Sequence, residues 1–384
     1  MSTSTFNTLS SPSHSMEDLV QATKTTKHHS LSIPPELIDE IIDYLWGDKE
    51  ALIACSFVCR LFYLRTRVHL LHSIRLKRTP DDSFSQSILP YIKNITICWG
   101  ASTIPSLTPF LSSLPNLTAL HLDSLQFPDP WSLHHLICQL PGLTSLELSA
   151  IRFRQDFLVE LGSVGSGLLP RINKISMWAM SFHISFMEFL IHRRELRAVY
   201  ADSLHELCII YPRGEYLPSI CAFVRAASRS LRSLDIRIRR VEYVMSGWPA
   251  QLDVLPLTMP TLKIEMECSQ RGWHMKAMRW LLDSLTGADE PIMVETLMLV
   301  VVPPTLYDGH TMDDGDWVRQ WSRLDEILSG PDMKDFQRLN VAFKPHVDYP
   351  SPWDESHLIE WVHKTLPLMD KRIMFDVDIV EDTN

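Results

Sequence analysis

One pattern constrains this chain more than any other: a short leucine-spaced segment that recurs. Leu114-Pro-Asn-Leu-Thr-Ala-Leu-His-Leu122 aligns without a gap on Leu140-Pro-Gly-Leu-Thr-Ser-Leu-Glu-Leu148, an offset of 140 − 114 = 26 residues. Looser copies flank the pair at Leu89 to Ile97 and Leu169 to Met177, offset by 25 and 29. The L-x-x-L-x-L core returns at Leu204 to Ile209 and Leu231 to Ile236, also stands at Leu71 to Leu76, and decays through Thr261 to Met266, Val294 to Leu299 and Phe336 to Val341. Alternation of apolar and polar residues is the period of a half-buried strand. Between these segments the apolar residues fall at helical spacing: Leu107, Phe110, Leu111 and Leu114; Leu133, Leu136, Ile137 and Leu140; Met278, Leu281, Leu282 and Leu285. Ile220, Phe223, Val224 and Ala227 repeat that spacing, and Leu358, Trp361 and Val362 echo it. A lone strand-helix unit cannot bury both apolar faces, whereas stacked copies share one core.

One strand and one helix every 25 to 40 residues, as these offsets give, resembles the leucine-rich repeat. The expected fold class is α/β, with residues 71–384 as an irregular solenoid: parallel strands on the concave face and helices on the convex one. Irregularity is expected because the Asn or Cys usual after the strand is missing; Leu125, Ile151 and Met180 stand there.

Composition narrows the function. The formal charge of −10 argues against a chain that grips phosphate backbones, which needs clustered Lys and Arg. No apolar run reaches the ~18 residues of a membrane span; the densest, Ile292 to Val302, contains Glu295. Seven scattered cysteines without C-x-x-C suit a reducing compartment, and no apolar leader opens the chain, so the cytoplasm or nucleus is expected. Residues 1–30 hold 13 Ser and Thr and few large apolar side chains, the composition of a disordered tail.

Enzyme signatures are missing. There is no G-x-x-x-x-G-K-[ST], H-E-x-x-H or G-x-S-x-G. Gly162-Ser-Val-Gly-Ser-Gly167 follows a helix-like segment, the wrong order for a phosphate cradle, and suits an inter-repeat loop. Asp313-Asp-Gly-Asp316 lacks the carboxylate a calcium loop needs twelve positions in, where Leu324 stands; it suits a turn capping a helix from Trp317 to Leu328. Cys55 and Cys59 suit buried thiols rather than metal ligands. Of His134 and His135, one ring is expected to face solvent. No catalytic residue, cofactor or metal is expected.

Residues 31–70 form a separate helical block. Pro34-Pro35 opens a helix carrying Leu37, Ile38, Ile41, Ile42 and Leu45. Gly47 and Asp48 divide it from a second helix with Ala51, Leu52, Cys55 and Phe57, and a third carries Leu61, Phe62, Leu64 and Val68. A block of about 40 residues is near the lower limit of independent folding, so it must lean on something.

Leu31-Ser-Ile-Pro-Pro-Glu-Leu-Ile-Asp-Glu-Ile-Ile-Asp-Tyr-Leu45, followed by Leu52-Ile-Ala-Cys-Ser-Phe-Val-Cys-Arg-Leu-Phe62, resembles an F-box. Two elements depart from the family pattern: Ile33 replaces Leu before the proline, and Phe62 replaces the usual Trp. An F-box followed by leucine-rich repeats is similar to the F-box/LRR architecture. The resemblance implies a non-catalytic receptor subunit of a ubiquitin ligase. Its F-box docks on a Skp-type adaptor, which joins a cullin scaffold, and its repeats bind a protein substrate. The adaptor-facing residues it implies are Ile33, Pro34, Leu37, Ile41, Leu52, Val58, Cys59 and Phe62. The alternative is an interaction scaffold with the same parts and no ligase role.

Strand alternation names the substrate face. Residues between the core leucines point the other way: Asn94 and Thr96, Ala119 and His121, Ser145 and Glu147, Lys174, Ser176 and Trp178, Glu206 and Cys208, Ser233, Asp235 and Arg237. This mixed row suits a protein partner, with neither nucleic acid nor membrane expected. His121, Glu147, Trp178, Asp235 and Arg237 are its candidate contacts; Trp178 is either an anchor there or part of the core.

Overall fold

The protein is described by a computed structural model covering residues 33–77, 86–98, 104–154, 170–178, 200–210, 217–238, 255–267, 273–287, 292–302, 315–344, 354–369 and 374–379. The N-terminal tail, the Gly162 to Gly167 segment and Asp313 lie outside these residues. The chain divides into two compact units, Met1–Arg67 and Val68–Asn384.

The first unit is built on helices α1 (Pro35–Tyr44), α2 (Lys49–Ser56) and α3 (Arg60–Leu70). Proline at the first turn costs α1 nothing, since the Pro34 carbonyl accepts from the Leu37 and Ile38 amides at 3.1 and 3.2 Å. Asp48 caps α2, its side chain accepting from the Ala51 amide at 2.9 Å. The core is small: Ile38 and Ile42 of α1, Leu52 of α2 and the Thr66 methyl of α3. The Thr66 hydroxyl donates to the Phe62 carbonyl of its own helix at 2.8 Å. Arg65 of α3 donates from Nε to Asp43 of α1 at 2.7 Å and from Nη2 to the other oxygen of that carboxylate.

The second unit is an α/β structure around an 11-stranded parallel sheet whose strands follow chain order. These are β1 (Ser73–Leu76), β2 (Asn94–Cys98), β3 (Ala119–Asp123), β5 (Ser145–Ser149), β7 (Lys174–Trp178), β8 (Glu206–Ile210), β9 (Ser233–Ile238), β10 (Thr261–Glu267), β11 (Thr296–Val302), β12 (Arg338–Phe343) and β13 (Met374–Ile379). Helices α4 (Ile104–Ser112), α5 (Pro130–Cys138), α6 (Leu217–Ala227), α7 (Trp273–Thr286), α8 (Gly315–Leu328) and α9 (Glu355–Thr365) lie between strands. Parallel neighbours need such crossovers. Ladder bonds extend past the strand starts: the Thr118 amide donates to the Lys93 carbonyl at 2.8 Å, Thr144 to Thr118 at 2.9 Å and Asn173 to Thr144 at 2.8 Å.

Leu120, Leu122, Leu146, Leu148, Ile175, Met177, Leu234 and Ile236 point into one apolar cluster, which also takes in Leu107, Leu133, Leu281 and Val362 from the helices. The helices therefore cover one face of the sheet, and the intervening strand residues occupy the other.

Three features differ from the repeat expectation. A second, two-stranded parallel sheet pairs β4 (Gln126–Phe127) with β6 (Arg152–Phe153). Ser124 and Ala150 turn the chain toward it at φ 56° and 49°, a left-handed conformation uncommon for side chains other than Gly, Asn and Asp. Leu125 and Ile151, where the repeat usually has Asn or Cys, are buried as the chain enters these short strands. The second difference is β13, where Phe375, Val377 and Ile379 keep the alternation in register with Leu339, Val341 and Phe343, but Arg372 stands where the L-x-x-L-x-L pattern opens on an apolar residue. Thirdly, alternation fails toward the ends of the later strands. Ile210, Val300 and Ala342 lie outside the core cluster, on the face opposite the helices, yet are buried.

Candidate functional site

Two surfaces hold the candidate residues, one in each unit.

In the helical unit the apolar stripe of α1 is split. Ile38 and Ile42, four apart, face inward; Leu37 and Ile41, also four apart, lie on the adjoining face and stay half exposed, Leu37 at 48 %. Phe57, at the end of α2, is 83 % exposed; Val58 beside it and Leu61 and Leu64 on α3 are also exposed. Eleven of the fifteen exposed large apolar side chains of the described residues fall between Ile33 and Leu64, where only Ile38, Ile42 and Leu52 are buried. Of the residues named from the F-box resemblance, Ile33, Pro34, Leu37, Ile41, Val58 and Cys59 are on the surface and Phe62 is half-buried. Leu52 is 2 % exposed and belongs to the unit's own core. Phe57, Leu61 and Leu64 were not among the adaptor-facing residues drawn from that pattern.

On the sheet, parallel register sets the second surface in rows. Thr96, His121, Glu147, Ser176, Cys208, Asp235, Lys263, Met298, Asn340 and Asp376 follow one another strand by strand. The adjoining row runs from Cys98 through Asp123, Ser149, Trp178, Ile210, Arg237 and Glu265. All five residues taken as substrate contacts lie on these two rows, and Trp178 is 39 % exposed rather than in the core.

Polar and charged side chains pair along and across the strands of this face. His121 Nδ1 lies 3.8 Å from Glu147, Lys174 Nζ 2.8 Å from Glu206, and Arg338 3.2 Å from Asp376. Arg237 binds Asp235 at 2.8 Å, and the bond holds its guanidinium above its ordinary range against the cost of burial. Arg237 also approaches Glu265 at 3.8 Å, and Lys263 approaches Asp235 at 3.7 Å. Lys263, Glu265, Arg338 and Asp376 were not named from sequence, because the row was followed only as far as Arg237. The alternation carried through Thr261 to Met266 points to Lys263 and Glu265.

Cys208, His134 and Cys138 are held in neutral forms. Burial, and then the neighbouring Asp235 charge, push the Cys208 thiol up to about 11. The half-buried Cys138 and buried His134 of α5 meet the buried Tyr200: His134 Nδ1 shares a hydrogen bond with the Tyr200 hydroxyl at 2.9 Å, and Cys138 Sγ lies 3.3 Å from His134 Nε2. Burial lowers His134 to about 4 and raises Cys138 to about 11. No group of three His, Cys, Asp or Glu side chains among the described residues is placed to hold a metal ion, and no helix there is long and apolar enough to cross a membrane. No family model matches the chain, and no curated protein is significantly similar to it.

Proposed function

We propose that the chain is a substrate-recognition subunit of a Skp-cullin-F-box ubiquitin ligase. The helical unit is the F-box that docks on a Skp-type adaptor, and the sheet face opposite the helices, of leucine-rich-repeat type, receives the protein substrate. The adaptor tethers the assembly to a cullin scaffold; the chain itself contributes recognition rather than catalysis.

The observation that carries this reading is the imbalance in the helical unit. A unit that buries three large apolar side chains and leaves eleven exposed has a surface suited to a partner. A standard interface removes about 1,600 Å² from water in total. Leu37 and Ile41 on α1, with Phe57 and Val58 after α2, supply apolar anchors of the kind such interfaces bury.

Co-purification with a Skp-type adaptor tests the proposal. Leu37→Glu places a charge on a half-exposed position, so its thermal melt should match the parent while adaptor capture is lost. Undiminished capture by a folded Leu37→Glu chain overturns the assignment.

A further inference from the structure

Among the described residues the 11-stranded sheet ends on β13, which pairs with β12 along one side only. The Met374 amide donates to the Gln337 carbonyl at 3.3 Å, and that bond fixes which residues face the sheet. In a parallel ladder the N–H and C=O of one residue turn to the same neighbour, and successive residues alternate. Met374, Asp376 and Asp378 therefore bond to β12, while Phe375 and Val377 turn both main-chain groups outward. Natural edges are blunted by Lys, Pro, a bulge or shortness. β13 has neither Lys nor Pro and runs six residues in unbroken register with β12.

The core is also open at this edge. Leu339 and Val341 of β12 are 0 % exposed, whereas Phe375 and Val377, beside them in register, are only half-buried. The strand is nonetheless held in place: the His363 ring of α9 meets Phe375 edge-on at 5.2 Å between centroids, and Arg338 lies 3.2 Å from Asp376. In a stack of strand-helix units each strand covers the core residues of the one before. A further strand along β13 would therefore bury Phe375 and Val377 as β13 buries Leu339 and Val341.

Continuity with the sheet face names the occupant. Asp376 continues the row that runs through Asp235 and Asn340, and Asp378 follows Ala342 in the adjoining row, so a segment along β13 borders the surface that receives the substrate in the proposed function. A second copy fits less well. Two β13 strands paired antiparallel about Val377 set Asp376 of each opposite Asp378 of the other, and like charges directly opposite destabilise. We propose that β13 takes an extended segment of the protein substrate as one further strand. Main-chain groups of the segment bond Phe375 and Val377, and its alternate apolar side chains cover those two residues on the helix side. The inference rests on the reading of the sheet face as the substrate surface and adds the mode by which a segment is held there.

Fluorescence anisotropy of the full chain with two labelled peptides of one composition tests this. The first, Gln-Val-Thr-Val-Gln-Val-Thr-Val-Gln, alternates; the second, Gln-Gln-Val-Val-Thr-Thr-Val-Val-Gln, does not. The alternating peptide should bind about 10-fold more tightly. At saturation it should slow amide exchange at Phe375 and Val377 by about 10-fold and leave Asp376, already bonded to β12, unchanged. Val377→Pro removes an outward amide without breaking the ladder to β12 and should abolish the preference. Should that variant unfold, exchange in the unsubstituted chain decides. Equal binding of the two peptides, or unslowed exchange at Phe375 and Val377, overturns the proposal. So does a dimer in sedimentation equilibrium that Val377→Pro dissolves, which assigns the edge to a second copy. Adaptor capture on the same preparations separates the two readings. Capture without strand addition removes this inference alone. Strand addition without capture removes the F-box reading and leaves the edge site standing.

Discussion

His134 shows how a single side chain can tie stability to pH. Its ring is buried, stacks on Trp131 at 5.0 Å between centroids and shares a hydrogen bond with Tyr200. Burial first, and the neighbouring His135 second, lower it to about 4, whereas an unfolded chain protonates His near 6.5. Above about 6.5 both states hold a neutral ring, and the stabilisation is complete. As pH falls from there toward 4, the unfolded chain takes up a proton that the folded one refuses, and stability is lost by about 1.4 kcal/mol per pH unit. Between pH 7.5 and 5.0 the denaturant midpoint should therefore fall more steeply for the parent than for His134→Gln, by the equivalent of about 2 kcal/mol. Parallel slopes would remove His134 as the cause. The sequence placed one ring of the pair in solvent, and His135 is the exposed one. Tyr200, 66 residues away along the chain, was invisible to any local pattern.

Within the helices, spacing identified the buried stripes, and polar ties decided how neighbours are held. Asp325 of α8 sits among its apolar residues, buried, and accepts from the Leu368 amide at 3.0 Å and the Met369 amide at 2.9 Å, just past α9. Burial raises its carboxyl, and the two amides oppose that shift. Asp325→Ala leaves both donors without this acceptor and should cost about 1–3 kcal/mol, read as a lower urea midpoint. Asp325→Asn should lose less, because one acceptor oxygen remains. The helix itself was expected from Trp317 to Leu328, behind the turn that ends at Asp316. The inward acid was not, since its partners come from a later turn. The short pair β4 and β6 escaped for a related reason: two-residue strands carry no period, and their entry depends on positive φ at Ser124 and Ala150.

Across the molecule, adaptor capture and substrate capture belong to different units in the proposed function, so their losses should separate. Replacing Trp178, His121 and Arg237 together with Ala should leave adaptor capture at the parent level while cutting the set of co-purifying proteins. Loss of adaptor capture in that variant would instead point to misfolding. The repeat, the parallel strand order and the strand-helix alternation follow from leucine spacing alone, because burial of one face imposes the same period on every copy. Spacing could not say which of the two stripes on α1 is buried, since Leu37 with Ile41 and Ile38 with Ile42 stand equally four apart; the folded unit buries the second. Nor could it bring Lys263 of β10 to Asp235 of β9, or seal Ile210, Val300 and Ala342 on the face where alternation expects solvent. Those outcomes depend on groups distant in sequence meeting across strands, and only the folded chain brings them together.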